Sequence, residues 1–198
     1  MRGPAEAYNR GMALKATIFR ANLQIADMER NYYRDHALTI ARHPSENDER
    51  MMVRVLAFAL HATDSLAFGV GIGNDDEPDL WEKDLTGAIR LWVDVGLPDE
   101  KRIRRACGRS ERVVVYCYGR GADLWWKQSG ASLARSGNLT VNHLPAAVTQ
   151  PLAKLAGRNM QLNCTIQDGQ VWLANHEATV QVEVECRLQP APEHRRGT

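Results

Sequence analysis

Residues 89–118 constrain the fold of this chain most tightly. The run IRLWVDV at 89–95 puts Ile89, Leu91, Val93 and Val95 on one side of a strand and Arg90, Trp92 and Asp94 on the other. Gly96 ends that strand, Pro98 fits a first helical turn and Gly108 fits the position just past a helix end. A helix is therefore predicted over 98–107, with a narrow inner stripe of Ile103, Ala106 and Cys107. VVVYCY at 113–118 is a second apolar strand. Strand, short helix and strand make a βαβ unit, which implies parallel neighbours buried on both faces. Ligands of such sheets usually bind at the carboxyl ends of the strands, which is where Asp94 lies.

Charge is concentrated around this unit. Residues 75–84 hold six acids against Lys83, a balance of −5, and residues 101–112 hold six bases against Glu111, a balance of +5. The whole chain carries only +1. Opposite charges beside one strand suit a divalent metal next to a polyanionic substrate; they equally suit a solvated loop and a solvated helix. The near-neutral total leaves any nucleic-acid binding to a local patch. With 198 residues, 44% of them apolar, the chain can bury a substantial core. Its main unit is read as one domain over 12–189. Residues 1–11 are read as a disordered upstream extension ahead of a start at Met12, and the Pro- and charge-rich residues 190–198 are expected to be a disordered tail. Cys107, Cys117, Cys164 and Cys186 form no CxxC pair, so reduced thiols in a cytoplasmic protein are expected. No apolar run reaches membrane-spanning length, and no membrane partner is expected.

The remaining segments supply further elements. Alternation predicts strands over 14–26, bulged near Phe19–Arg20 where the phase slips, and over 32–42, together a hairpin. Ser45 is the predicted N-cap of a helix running to Phe68, with Met52, Val53, Leu56, Leu60 and Thr63 as one stripe and Glu49 one turn before it. Ile72 is a candidate short strand, and 80–85 is left undecided between strand and irregular chain. A helix over 122–135 carries Trp125-Trp126, read as core packing in preference to base stacking. A strand over 139–144, a helix over 145–156 and a hairpin turning at Asp168-Gly169 follow. Residues 179–188 alternate as one strand, with Val180, Val182, Val184 and Cys186 inward.

Three carboxylates stand out on pattern: Glu49 in line with a core-facing stripe, Asp79 after a proline, and Asp94 at a strand end. Convergent carboxylates with open positions bind Mg²⁺ or Mn²⁺, and such an ion activates water against phosphodiesters. The basic helix would then hold flanking phosphates. Other chemistries lack their motifs. There is no G-x-S-x-G and no GxxxxGK[ST], and GVGIGN at 69–74 opens into an acidic turn, so it is no dinucleotide fingerprint. The six histidines lie without ligand spacing.

The segments ALKATI (13–18), ARHPSENDERMM (41–52), DDEPDLW (75–81), LWVDVGLPDEKRI (91–103) and IQDGQVWL (166–173) resemble the bacterial YaeQ family over about residues 12–189. That resemblance implies a variant of the PD-(D/E)XK, restriction-endonuclease-like fold: an α/β core with a mixed central sheet flanked by helices, plus additional antiparallel strands and hairpins. It implies Asp79 and Asp94 as the motif's two acids and metal ligands, with Glu49 as the acid of the first core helix. The motif's lysine position is Gly96, so a displaced base is needed, Lys101 first and Lys83 second. Arg102, Arg104 and Arg105 are the expected nucleic-acid contacts. Three functions follow as alternatives: a Mg²⁺- or Mn²⁺-dependent nuclease acting on DNA or RNA, a catalytically degenerate relative that binds nucleic acid or a protein of transcription or repair, and a partner-binding protein whose carboxylates form internal ion pairs.

Overall fold

The computed structural model describes residues 16–69 and 76–190. The expectations for residues 1–11, for Ile72 and for residues 191–198 fall outside the described residues. In chain order the elements are β1 (Thr17–Asp27), β2 (Tyr32–Arg42), α1 (Asp48–His61), β3 (Leu66–Phe68), β4 (Leu80–Lys83), β5 (Ile89–Val95), α2 (Glu100–Arg109) and β6 (Ser110–Tyr118). There follow α3 (Ala122–Leu133), β7 (Leu139–Leu144), α4 (Ala146–Lys154), β8 (Asn159–Gln167), β9 (Gln170–Ala174), β10 (Thr179–Val182) and β11 (Glu185–Leu188). They build two mixed sheets, one ordered β10-β9-β8-β1-β2 and the other β11-β7-β6-β5-β4-β3.

The expected βαβ unit is present, with β5 parallel to β6 and β6 parallel to β7. Leu91, Val93 and Val95 join one apolar core and Trp92 joins the other, so the strand is buried on both faces. The larger core combines the inner face of the first sheet, α1, α4 and the near face of the second sheet. The smaller core combines the far face of the second sheet with α2 and α3. The layers therefore run sheet, helices, sheet, helices.

That layering explains α1. Met51 through Ala59 are all buried, so the helix packs on every side, beyond the single stripe read from its sequence. Its N-cap is Asn47, whose side chain accepts from the Arg50 backbone N–H at 2.8 Å; Ser45 instead pairs with His43. The helix stops at His61, well short of Phe68. Thr63 Oγ1 accepts the Leu66 N–H at 3.1 Å, a local turn that redirects the chain into β3 against β4. Residues 80–83, undecided from sequence, are thus a strand.

Two other expectations are corrected. The β1–β2 register runs unbroken from Thr17 to Asp27, without a bulge. Ile18 simply points outward at 45% exposure while Phe19 points in. The alternating run 179–188 is two strands: β10 pairs with β9 in the first sheet and β11 with β7 in the second, leaving Cys186 exposed. All four cysteines are free thiols. Among the described residues no helix is long and apolar enough to cross a membrane.

Candidate functional site

Asp79 stands at the entry of β4. Its backbone N–H donates to Val93 O at 3.0 Å and its carboxylate Oδ2 accepts the Val95 N–H at 2.8 Å, extending the ladder to the end of β5. Glycine is required at position 69 beside it, because a Cβ there would lie 2.0 Å from Pro78 O. The other carboxylate oxygen of Asp79 accepts from Arg50 Nη2 at 2.7 Å, and Arg50 Nη1 donates to Glu46 at 2.9 Å. Arg54, one turn further along α1, donates to both Glu46 oxygens at 2.9 and 3.0 Å and to Ala41 O at 3.3 Å. Two acids and two arginines thus form a neutral cluster between the sheets. Arg54 and Glu46 are essentially without solvent, and their pairing is what makes burial of either charge tolerable. Burial works against the Arg50 charge, but Asp79 and Glu46 outweigh it and hold the guanidinium pKa above its usual range.

Asp94 projects to the other side of the same sheet, beside Trp92. Its carboxylate accepts from Arg102 Nη2 at 2.8 Å, from Arg102 Nε at 3.0 Å and from the Trp92 indole N–H at 3.0 Å. This is a fork-to-fork arginine contact with a third donor, closed beneath α2. Arg102 also donates to Glu77 O at 2.7 Å, and its guanidinium carbon lies 5.9 Å from the centre of the Trp92 ring.

The expected convergence of three acids is therefore not what the fold produces. Asp94 faces α2 from within β5, whereas Asp79 faces α1 from just outside β4: ahead of the Leu80–Val93 pair the ladder is irregular, with the Asp79 N–H turned to Val93 O and its carboxylate to the Val95 N–H. Glu49 is half-buried in the first turn of α1, close enough to Tyr118 to act on its charge. Burial above all raises the Tyr118 hydroxyl to about 12, with Arg50 opposing the shift and Glu49, Glu46 and Asp79 adding to it. Glu46, hidden at the start of α1, takes the place at Asp79 that Glu49 was expected to fill. Among the described residues no group of three or more His, Cys, Asp or Glu side chains is arranged to hold a metal ion. The oxygens of Asp79 and Asp94 are already engaged by guanidinium, indole and backbone donors, so this donor set does not fit Mg²⁺ or Mn²⁺.

The basic candidates separate likewise. Gly96, at the motif's lysine position, has φ +108°, a backbone conformation that a lysine would enter only under strain. Lys101 is exposed on α2 and lines a hollow of about 170 Å³ with Asp99, Arg102 and Arg105. Lys83 lies over the Trp81 ring, 3.3 Å from its centre. Arg102 is held by Asp94. Arg104 pairs with Glu100 and Ser132, and Arg105 with Asp76 at 2.9 Å, yet the Arg104 and Arg105 side chains keep 59% and 39% of their exposure. The tryptophan pair is used for packing: the Trp125 indole donates to Pro98 O at 2.9 Å, and the Trp126 ring covers Gly130.

Sequence reading missed Glu46 and Arg54 as members of the central cluster. The signal was present. Arg54 is the lone charge inside the apolar run MMVRVLAFAL, and a buried arginine requires a buried acid within reach.

Comparison with known proteins agrees with this architecture. The family model described as YaeQ protein matches residues 12–184. The YaeQ proteins of Salmonella typhi and Escherichia coli strain K12, both uncharacterized, are 41% identical over 181 residues, covering 91% of this chain and all of each relative. The crystal structure of YaeQ protein from Xanthomonas axonopodis pv. citri superposes with a TM-score of 0.85 at 49% identity, covering 88% of this chain and 99% of that one. The corresponding structure from Pseudomonas syringae gives 0.84 at 33% identity, covering 88% and 97%. On sequence and structure together, this chain belongs to the YaeQ family.

Proposed function

We propose that this chain is a catalytically inactive variant of the PD-(D/E)XK fold that binds nucleic acid through the outer surface of α2. The observation that carries the first half is the clasp at Asp94: Arg102 supplies two nitrogens to one carboxylate, so the group a nuclease would offer to a metal serves an internal ion pair. Asp79 is engaged from the opposite layer by one nitrogen of Arg50 and by the Val95 N–H. The second half rests on the exposed positions of α2. Lys101, Arg104, Arg105 and Arg109 all face solvent, and Arg112 follows at the start of β6. Residues 99–112 carry six bases against Asp99, Glu100 and Glu111. A cationic ridge of this size binds phosphates by releasing counterions, a contribution that does not depend on base sequence.

The test is fluorescence anisotropy with single- and double-stranded oligonucleotides at rising salt. Binding should weaken steeply, with a slope of about −0.7 to −0.9 in log–log form per phosphate contacted. The triple variant Arg104→Ala, Arg105→Ala, Arg109→Ala should bind at least about tenfold more weakly, from the loss of several phosphate contacts. Arg102 is left intact because its removal would orphan Asp94. The same preparations with Mg²⁺ or Mn²⁺ should leave the oligonucleotides uncut. Cleavage abolished by Asp94→Asn would overturn the inactive assignment, and binding indifferent to salt or to the triple variant would move the contact to a protein partner.

A further inference from the structure

The outer face of the first sheet, the layer furthest from α2, has a character of its own. Across the strands, Trp172 of β9 stands opposite Thr165 of β8, Thr165 is level with Ala26 of β1, and Ala26 is opposite Tyr33 of β2. Two small residues thus form a floor between two aromatic ones, whose Cα atoms lie three strand spacings, or about 14 Å, apart. The next row along the strands sets Asn163 level with Gln24, and Gln24 opposite Asp35. Between Tyr33 and these side chains lies a hollow of about 560 Å³, floored by Ala26 and Thr165 and edged by Arg34.

The charge of this face sets what it can accept. Arg34 lies 3.9 Å from Asp64, Asp35 adds one negative charge at the hollow, and the outward positions beside it are amides: Asn22 and Gln161 continue the row that Gln24 and Asn163 begin. In a chain that is 25% charged, the residues lining the hollow carry only Arg34, which faces Asp64, and Asp35, and Arg20 lies further along β1, so the hollow offers little to a polyanion. It is too polar to pack against a second copy of itself, since facing sheets need apolar inner faces. Asparagine and glutamine each present a donor and an acceptor in one plane, and Asp35 adds two acceptors. Tyr33, 54% exposed, presents an aromatic surface at the side of the hollow.

We propose that this hollow is a binding site for an uncharged oligosaccharide: amide and carboxylate groups pair with adjacent hydroxyls while an aromatic ring takes the apolar face of a sugar. The site is separate from the α2 surface and does not depend on the reading given above for that surface.

The experiment is calorimetric titration of the full chain with a panel of short neutral oligosaccharides of glucose, mannose, galactose, xylose and N-acetylglucosamine, with a single-stranded oligonucleotide in parallel. The variants are Tyr33→Ala and Gln24→Ala, both at exposed positions outside the core. At least one oligosaccharide should bind, unchanged between about 50 and 300 mM salt. Each variant should weaken it about tenfold, the effect of losing one stacking or paired hydrogen-bond contact. The triple arginine variant of α2 should bind the sugar normally. No binding by any member of the panel, binding untouched by Tyr33→Ala and Gln24→Ala, or salt-sensitive oligonucleotide binding lost in those variants would each overturn the assignment.

Discussion

At the scale of single residues, the decisive chemistry is the pairing of buried charges. Arg54 and Glu46 have side-chain exposures of 1% and 0%, so neither charge is hydrated. Removing one partner leaves the other charged and dry, which typically costs about 3–5 kcal/mol. Glu46→Ala is therefore expected to lower the urea-unfolding free energy by about that amount. The double variant Glu46→Leu, Arg54→Met should recover much of it, because a well-packed apolar pair often replaces a buried ion pair at little cost. Equal losses in the single and double variants would contradict this account of the cluster. The same residue-scale physics decides Asp94. Its alternation with Trp92 along the strand was legible in sequence, and both do share a face. Its partner was not legible, because Arg102 looks like any other base on a charged helix until the helix is docked.

At the scale of elements, α1 is the piece that joins the two sheets, and its carboxyl end is fixed to the second sheet by a side-chain contact. His61 Nε2 lies 2.8 Å from the Tyr116 hydroxyl of β6. Burial, then Arg112 and Arg30, push the His61 pKa down to about 3. The folded state therefore keeps His61 neutral where the unfolded chain, with a pKa of 6.5, takes up a proton. Stability from this group is complete above pH 6.5 and is lost as pH falls towards 3, by up to about 1.4 kcal/mol per unit. Chemical denaturation at pH 7 and pH 5 should show a smaller pH-dependent loss for His61→Phe than for the wild type; parallel losses would contradict the assignment. Elements were legible where local chemistry fixes them. The alternation of β5 and the Asp168-Gly169 turn read through; α2 does follow β5, but Asp99 caps it in place of a Pro98 start and it runs through Gly108 to Arg109. Asp168 and Gly169 indeed take positive φ, at +53° and +73°. Legibility failed where the decision is non-local. Residues 179–188 alternate without interruption, and only the position of β7 draws their second half into another sheet. α1 read as one stripe because its sequence cannot say that a sheet lies on both sides.

At the scale of the whole molecule, the layered plan decides what the acidic positions can do. Asp79 is reached from the inner helix layer and Asp94 from the outer one, each by an arginine of α1 or α2. The family, the mixed sheets and the parallel core were readable from sequence. The separation of the acids was not, because spacing along the chain does not say which face of a sheet a strand-end residue addresses. The most direct measurement is calorimetric titration of the purified full chain with Mn²⁺. The account predicts no binding up to about millimolar Mn²⁺, because both carboxylates are already satisfied. Micromolar binding that disappears in Asp79→Asn and in Asp94→Asn would contradict it.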